Sequence, residues 1–362
     1  MTTVAPPAVI TLTKAVSLAA RLAPMRASLP VCSCILLEPR DGGIRVRATN
    51  LEAELTIDAD GEIDGAIAVQ ARHLAQLLRH TEGAALHVDG HQLKVTTDVI
   101  EGTLYGYKAE DFPPAAIIEG GEPVSAFDRT AFAWCGAVVA QDDSRPILTG
   151  VCLNKDTGAM GASDGFRLRV YGEPFTPQDR RIVLPARIAP LIPADASLVV
   201  SETRAQFTAG PVRFTSQVIQ GTFPDFVQLL PKEHEWRVTT DPLFLRPLLA
   251  GPLALAGAMG SDICRITKKD DDHLLISAHA EEYIDVAVTV PAKVEGNPKI
   301  AFNFKYLFDV LRGMHAAETL TIEGVGPSDL ALFRGDESRI DIVMPMFVQW
   351  PAEEKKRKKV AV

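Results

Sequence analysis

The chain has 362 residues, 47% hydrophobic and 23% charged, with a formal net charge of −9, the balance of a globular protein with material for two or three cores. No apolar run approaches the roughly 18 residues of a membrane span, and the start MTTVAPPAVITLTK lacks the basic and apolar blocks of a secretion signal, so a cytosolic chain without membrane contact is expected. An acidic chain does not hold nucleic acid by bulk attraction; any DNA contact requires cations sorted onto one surface.

In chain order, a helix is predicted from Thr13 to about Ala23. Leu12, Ala15, Val16, Ala19 and Leu22 share one face of it, and Lys14 and Arg21 lie on another. Residues 67–79 (IAVQARHLAQLLR) read as a short apolar strand, a turn and a helix with an early cation. The pattern returns at 182–192 (IVLPARIAPLI) and 300–312 (IAFNFKYLFDVLR), the starts being 115 and 118 residues apart. That spacing is a domain length, too long for a solenoid period. Each third also opens with a helix. The second runs from Arg129 to about Ala140, capped by Asp128, with Phe132, Cys135 and Val139 as its apolar stripe. The third follows Asp241, where Pro247 and Pro252 predict a kink or a start at Pro247. Residues 46–58, 160–170 and 275–288 read as strands at matching places in the thirds. Mixed helix and strand with short connections gives an α+β class with mainly antiparallel sheets. The thirds divide as 1–123, 124–241 and 242–348, leaving 349–362 as a basic tail.

Within the middle third, Ser163-Asp164-Gly165 reads as a turn feeding a strand. Phe166, Leu168 and Val170 alternate with Arg167 and Arg169, so an ordinary half-buried strand is expected for Arg169 and Val170. The five cysteines (Cys32, Cys34, Cys135, Cys152, Cys264) are odd in number and sparse, the pattern of buried thiols and not of a metal site. Cys32 and Cys34 share one strand face.

The threefold repeat, together with Ser163-Asp164-Gly165-Phe166-Arg167-Leu168, Gly221-Thr222-Phe223-Pro224-Asp225-Phe226, Leu230-Pro231-Lys232, Phe302-Asn303-Phe304-Lys305-Tyr306 and Val343-Met344-Pro345-Met346, resembles the bacterial sliding clamp, the beta subunit of DNA polymerase III. The resemblance spans about residues 9–347. It implies a head-to-tail homodimeric ring of six similar domains, with helices lining a hole for double-stranded DNA and antiparallel sheets outside. It implies no catalytic residue, metal or cofactor. The inner cations would be Lys14, Arg21, Arg72, Arg79, Arg187, Lys305 and Arg312, with Arg26 at a position where the family contacts DNA. Arg72, Gln76 and Arg79 form a polar stripe opposite Leu74, Leu77 and Leu78. Lys305, Asp309 and Arg312 do the same opposite Tyr306, Val310 and Leu311. Loose phosphate contacts suit sliding, which needs low barriers and no base reading.

The resemblance also implies a pocket between the second and third domains for a short apolar peptide motif. Its bearers are the polymerase III catalytic subunit, the clamp loader, and other polymerases and repair proteins. The matching positions are Arg145, Leu148, Ser163, Gly165, Phe166, Arg167 and Leu168, then Pro224, Leu229, Asn303 and Tyr306, and finally Pro327, Asp329, Ile342, Met344, Pro345, Met346 and Phe347. Aliphatic walls accept Leu or Phe, and methionines repack for different partners. Three positions depart from the family: Phe166 replaces a more polar residue, Gln228 a cation, and Asp142 a glutamine unless the register shifts by one to Gln141. Lys355 to Lys359 are expected to be solvated tail.

Other classes fare worse. The chain carries no P-loop, dinucleotide fingerprint, HExxH or nucleophile elbow. The aspartate runs 142–143 and 270–272 follow turn-like segments without the further carboxylates of a two-metal site. A peptide scaffold unrelated to DNA would not need basic helix faces.

Overall fold

A computed structural model describes residues 10–79, 83–173, 175–176, 179–226, 228, 230–231, 233–248, 251, 254–258, 262–280, 284–314, 319–336 and 338–350. The chain packs as two compact units. The first comprises residues 1–133, 152–158 and 180–221, and the second 134–151, 159–179 and 222–362. Six α-helices occur among the described residues: α1 Leu12–Leu22, α2 Ala71–Leu78, α3 Arg129–Gly136, α4 Pro242–Leu248, α5 Ala254–Ala258 and α6 Phe304–Gly313. None of the described helices is long and apolar enough to cross a membrane.

The first unit is built on one antiparallel sheet of eleven strands. Its central hairpin, Gly43–Thr49 with Ala53–Ala59, is flanked by Cys34–Arg40 and, on the other side, by Val212–Gln217. α1 packs on this hairpin and on α2. Thr11 caps α1, and Leu12 N–H donates to the Asp60 carboxylate at 2.7 Å. Leu12, Ala15, Val16, Ala19 and Leu22 are all buried, as their spacing requires, as are Leu74 and Leu78 of α2. Cys34 and Leu36 share a cluster with Cys32, which lies in a 3₁₀ turn, Pro30–Ser33, and not on the strand as expected. Burial, with Cys32 beside it, pushes the Cys34 thiol up to about 11, which marks a packing residue and not a nucleophile.

In the second unit seven strands run antiparallel in the order Met160–Ser163, Arg167–Tyr171, Arg339–Val343, Ala331–Arg334, Leu320–Gly324, Trp236–Thr240 and Lys293–Glu295. A four-stranded sheet pairs Ile284–Pro291, His273–Ala280, Ile263–Asp270 and Lys299–Asn303. α6 covers the last of these strands and shares its core with Phe302 and Phe333, whose rings meet edge-on at 5.6 Å.

Three expectations change. Residues 46–58 form a hairpin and not one strand, because Asn50 turns the backbone back on itself; within 160–170 Asp164 makes the predicted turn. Residues 273–291 likewise divide into two paired strands. The helix of the middle repeat is 3₁₀, Ala186–Leu191, because Pro190 inside it has no N–H to donate. α4 begins at Pro242 and runs through Pro247 to Leu248, so the start lies before the proline; Pro252 is outside the described residues.

Candidate functional site

The second unit gathers most of the sequence-predicted pocket residues around one turn. Asp164 Oδ1 accepts from Phe166 N–H and Arg167 N–H at 2.9 and 3.0 Å, and Ser163 Oγ accepts from Gly165 N–H at 2.9 Å. Gly165 holds φ at 94°, and a Cβ there would lie 2.8 Å from Arg145 Nη1. Glycine is required for the left-handed backbone, and a side chain there would also push the Arg145 tip aside. Arg145 in turn donates to the Asp164 carbonyl at 3.0 Å. The turn leaves Phe166 58% exposed, while Leu168, opposite Ile342 in the strand pairing, is buried.

Arg167 ties this turn to α6. Its Nε donates to Asp164 Oδ2 at 3.0 Å, its Nη1 to Asp309 Oδ2 at 2.6 Å, and the guanidinium lies 4.6 Å from the centre of the Tyr306 ring. Tyr306 also stacks at 6.5 Å and 23° on Phe166. Burial, then the Asp164 carboxylate, push the Tyr306 phenol up, so it stays protonated and can donate. Asn303 serves this arrangement from below: its side chain caps α6 by accepting from Lys305 N–H at 2.9 Å, which fixes the helix start. Met344 N–H donates to the Phe166 carbonyl at 2.9 Å and Met346 N–H to the Ala301 carbonyl at 2.7 Å. Met344 and Phe347 are 46% and 90% exposed, and Pro345 and Met346 half-buried.

Beneath the rim lies a buried network. Arg169 donates to Asp341 Oδ1, the Trp134 carbonyl and the Asp309 carbonyl, each at 2.8 Å, and its guanidinium sits 4.8 Å from the Trp134 ring centre. Arg169 is thus no ordinary strand residue: both faces of its strand are covered, so alternation does not sort its side chains. Burial pushes the Asp341 carboxyl from 3.8 up to about 6, against the pull of Arg169. A carboxyl with a raised folded pKa favours the fold in its protonated form. Its contribution is full below pH 3.8 and is lost as pH rises through about 6. In denaturant unfolding between these limits, the stability of the parent relative to Asp341→Asn should fall as pH rises. Equal slopes would mean the carboxyl titrates normally.

Other predicted residues fall elsewhere. Pro224 is exposed in a segment anchored by Phe226, which packs against Phe175 and so close to Gly161 that a Cβ there would lie 2.6 Å from the ring. Pro327 and Asp329 sit on an exposed turn, where Asp329 N–H bonds back to the Gly326 carbonyl. Leu148 is buried in a 3₁₀ turn. Leu229 lies outside the described residues. Asp142 accepts from Ser144 N–H at 3.0 Å, and Gln141 donates to the Val139 carbonyl at 3.2 Å, so both bond locally.

The predicted cations occupy solvent-facing sides of helices. Lys14 and Arg21 on α1, Arg72 and Arg79 at the two ends of α2, and Lys305 and Arg312 on α6 are all exposed, as is Arg26 in the bend after α1. Arg187 is exposed but paired with Glu52, and Arg21 donates to the Pro190 carbonyl at 3.2 Å. Asp309, expected in a polar stripe with Lys305 and Arg312, instead turns to Arg167.

Two family models match, described as the N-terminal domain and the central domain of the DNA polymerase III beta subunit, over residues 8–116 and 125–225. Together they cover more than half of the chain. It belongs to the bacterial sliding clamp family. The beta sliding clamp of Pseudomonas putida is 28% identical over 92% of this chain and 97% of its own length. That of Bacillus subtilis is 23% identical over 89% and 93%. Among solved structures, the Bacillus subtilis clamp superposes with a TM-score of 0.84 at 19% identity, covering 93% of this chain and 97% of that one. The Pseudomonas aeruginosa clamp bound to griselimycin gives 0.82 at 24%, with the same coverage. As a sliding clamp the chain is a processivity factor of DNA polymerase III, with no chemistry of its own. Sequence reasoning about the clamp missed Asp164, Asp309, Asp341 and Trp134. Only the Asp164 turn left a local signal, since Trp134 meets Arg169 across 35 residues and Asp309 and Asp341 meet their arginines across 140 or more.

Proposed function

We propose that this clamp pairs head-to-tail with a second copy, each giving three domains (1–123, 124–241 and 242–348), and encircles double-stranded DNA in the cytoplasm. It tethers the polymerase III catalytic subunit, the clamp loader and repair proteins through the rim of Phe166, Tyr306 and Met344. The observation that carries the peptide reading is the concentration of exposed apolar side chains there: Phe166, Met344 and Phe347 are 58%, 46% and 90% exposed on or beside one turn. Isolated exposed apolar residues need no explanation, whereas a cluster rimmed by arginines suits an apolar peptide. Pro327 and Asp329 belong to the same proposed site at its margin. The basic faces of α1, α2 and α6, with Arg26, supply the DNA contacts of a chain whose net charge is −9. Arg21 and Arg187 contribute less, being already engaged.

Retention on closed circular but not linear DNA tests the ring, and a monomer of 39.1 kDa at micromolar concentration would contradict it. Replacing both Arg72 and Arg79 by alanine should lower the slope of log affinity for duplex DNA against log salt by roughly 2. An unchanged slope would remove α2 from the DNA path.

A further inference from the structure

The turn and crossings that build the rim in the second unit occur a second time, bond for bond, in the first. Asn50 Oδ1 accepts from Glu52 N–H and Ala53 N–H at 3.1 and 2.7 Å, as Asp164 Oδ1 does from Phe166 and Arg167. Thr49 Oγ1 accepts from Leu51 N–H at 3.0 Å and donates to the Ala53 carbonyl at 2.8 Å. Ser163 Oγ does the same with Gly165 N–H and the Arg167 carbonyl at 2.9 and 2.7 Å. Leu51 holds φ at 74° where Gly165 holds 94°, a conformation that costs a non-glycine residue about 1–2 kcal/mol. Gln217 N–H donates to the Glu52 carbonyl at 2.8 Å, as Met344 does to Phe166, and Ile219 N–H to the Val183 carbonyl at 2.8 Å, as Met346 does to Ala301. Glu52 therefore stands where the rim has Phe166, Gln217 where it has Met344, and Ile219 where it has Met346. Counting on from Val183 and Ala301 sets Arg187 with Lys305 and Ile188 with Tyr306.

A cavity of about 280 Å³ opens at this place, near the lower end of the range for ligand sites. Leu22, Ile188, Leu191, Val218 and Ile219 give it an apolar part, and Arg21, Asn50, Glu52, Arg187, Ser216 and Gln217 line the rest with polar groups. Glu52 and Arg187 pair with each other, which leaves the Arg21 charge without a carboxylate among the described residues.

We propose that this cleft is a second peptide site, taking an extended segment with an aliphatic side chain next to a carboxylate. The inference rests on reading the Phe166–Tyr306 rim as a peptide site, whose backbone scaffold it repeats. Its preference differs because its residues differ. Ile188 and Ile219 replace Tyr306 and Met346, and Glu52 and Gln217 replace Phe166 and Met344, so the cleft offers a narrower aliphatic part beside polar groups, which selects a branched aliphatic side chain and not a ring. A ligand carboxylate replaces Glu52 as the partner of Arg187 and meets Arg21 as well. A DNA backbone is the rival occupant. A DNA backbone offers phosphates to Arg21 and Arg187 but no aliphatic group to Leu22, Ile188 and Ile219, which disfavours it.

Methyl NMR of the full chain separates the outcomes, with Ile188 and Ile219 reporting on this cleft and Met344 and Met346 on the rim. The probe is the tetrapeptide acetyl-Leu-Asp-Leu-Phe-amide. Both sets of methyls should shift, the isoleucines with their own weaker isotherm, which persists in Met346→Ala. Glu52→Gln should tighten the isoleucine isotherm several-fold by freeing Arg187, and Arg187→Gln should weaken it about tenfold. Isoleucines that stay silent while the methionines saturate would overturn the second site and leave the rim reading intact. Responding isoleucines with silent methionines would support the cleft and overturn the rim. Shifts produced by a duplex oligonucleotide but not by the peptide would assign the cleft to DNA and end the proposal.

Discussion

Arg169→Met destabilises the second unit by about 3–5 kcal/mol, the usual cost of removing one partner of a buried ion pair. Arg169 and Asp341 side chains are 4% and 2% exposed, and Asp341 Oδ2 already has no hydrogen-bond partner among the described residues. Without the guanidinium the carboxyl has nothing to offset its desolvation. The variant also loses donors to the Trp134 and Asp309 carbonyls, and with them a link between α3 and α6. The paired change Arg169→Met with Asp341→Leu should recover most of the loss, because no charge then remains to be buried. Tryptophan fluorescence in a denaturant series reads this directly: all three tryptophans, Trp134, Trp236 and Trp350, lie in the second unit. A loss below about 1 kcal/mol for the single variant would mean the site admits water.

Tyr306→Ala weakens a leucine-rich clamp-binding peptide by about 1–3 kcal/mol, the range for truncating an interface anchor. The ring meets Phe166 on one side and Arg167 on another, so its loss removes a wall and leaves Arg167 held by Asp164 and Asp309 alone. Met346→Ala falls in the same range through loss of a side chain that adapts to different partners. Tyr306→Phe discriminates between the two properties of the residue. If it binds like the parent, the ring acts; if it binds like the alanine variant, the hydroxyl does. Undiminished affinity in both Tyr306→Ala and Met346→Ala would place the peptide site elsewhere.

What could be read beforehand followed the physics of each element. α1, α2 and α6 carry their apolar residues at helical spacing, and their buried faces match that reading. The Ser163-Asp164-Gly165 turn was legible because glycine announces the left-handed backbone. The equivalent turn at Asn50-Leu51-Glu52 was not, since leucine gives no such sign and its conformation is imposed by the Asn50 and Thr49 hydrogen bonds around it. Arg169 was misread because the alternation rule assumes one wet face, and here α3 and α6 supply carbonyls on what should have been that face. Asp309 was misread for a related reason. A helix stripe shows where a side chain points, but its partner Arg167 comes from a strand 142 residues away.

The two backbone bonds under Met344 and Met346 also set a time scale. Those amides are held by the Phe166 and Ala301 carbonyls, which restrains the backbone of this segment. Accommodation of different sequences falls to side-chain rotamer changes, which take picoseconds to nanoseconds at exposed positions. On the proposed peptide reading, the order in which partners succeed one another at this rim is governed by how long each stays bound.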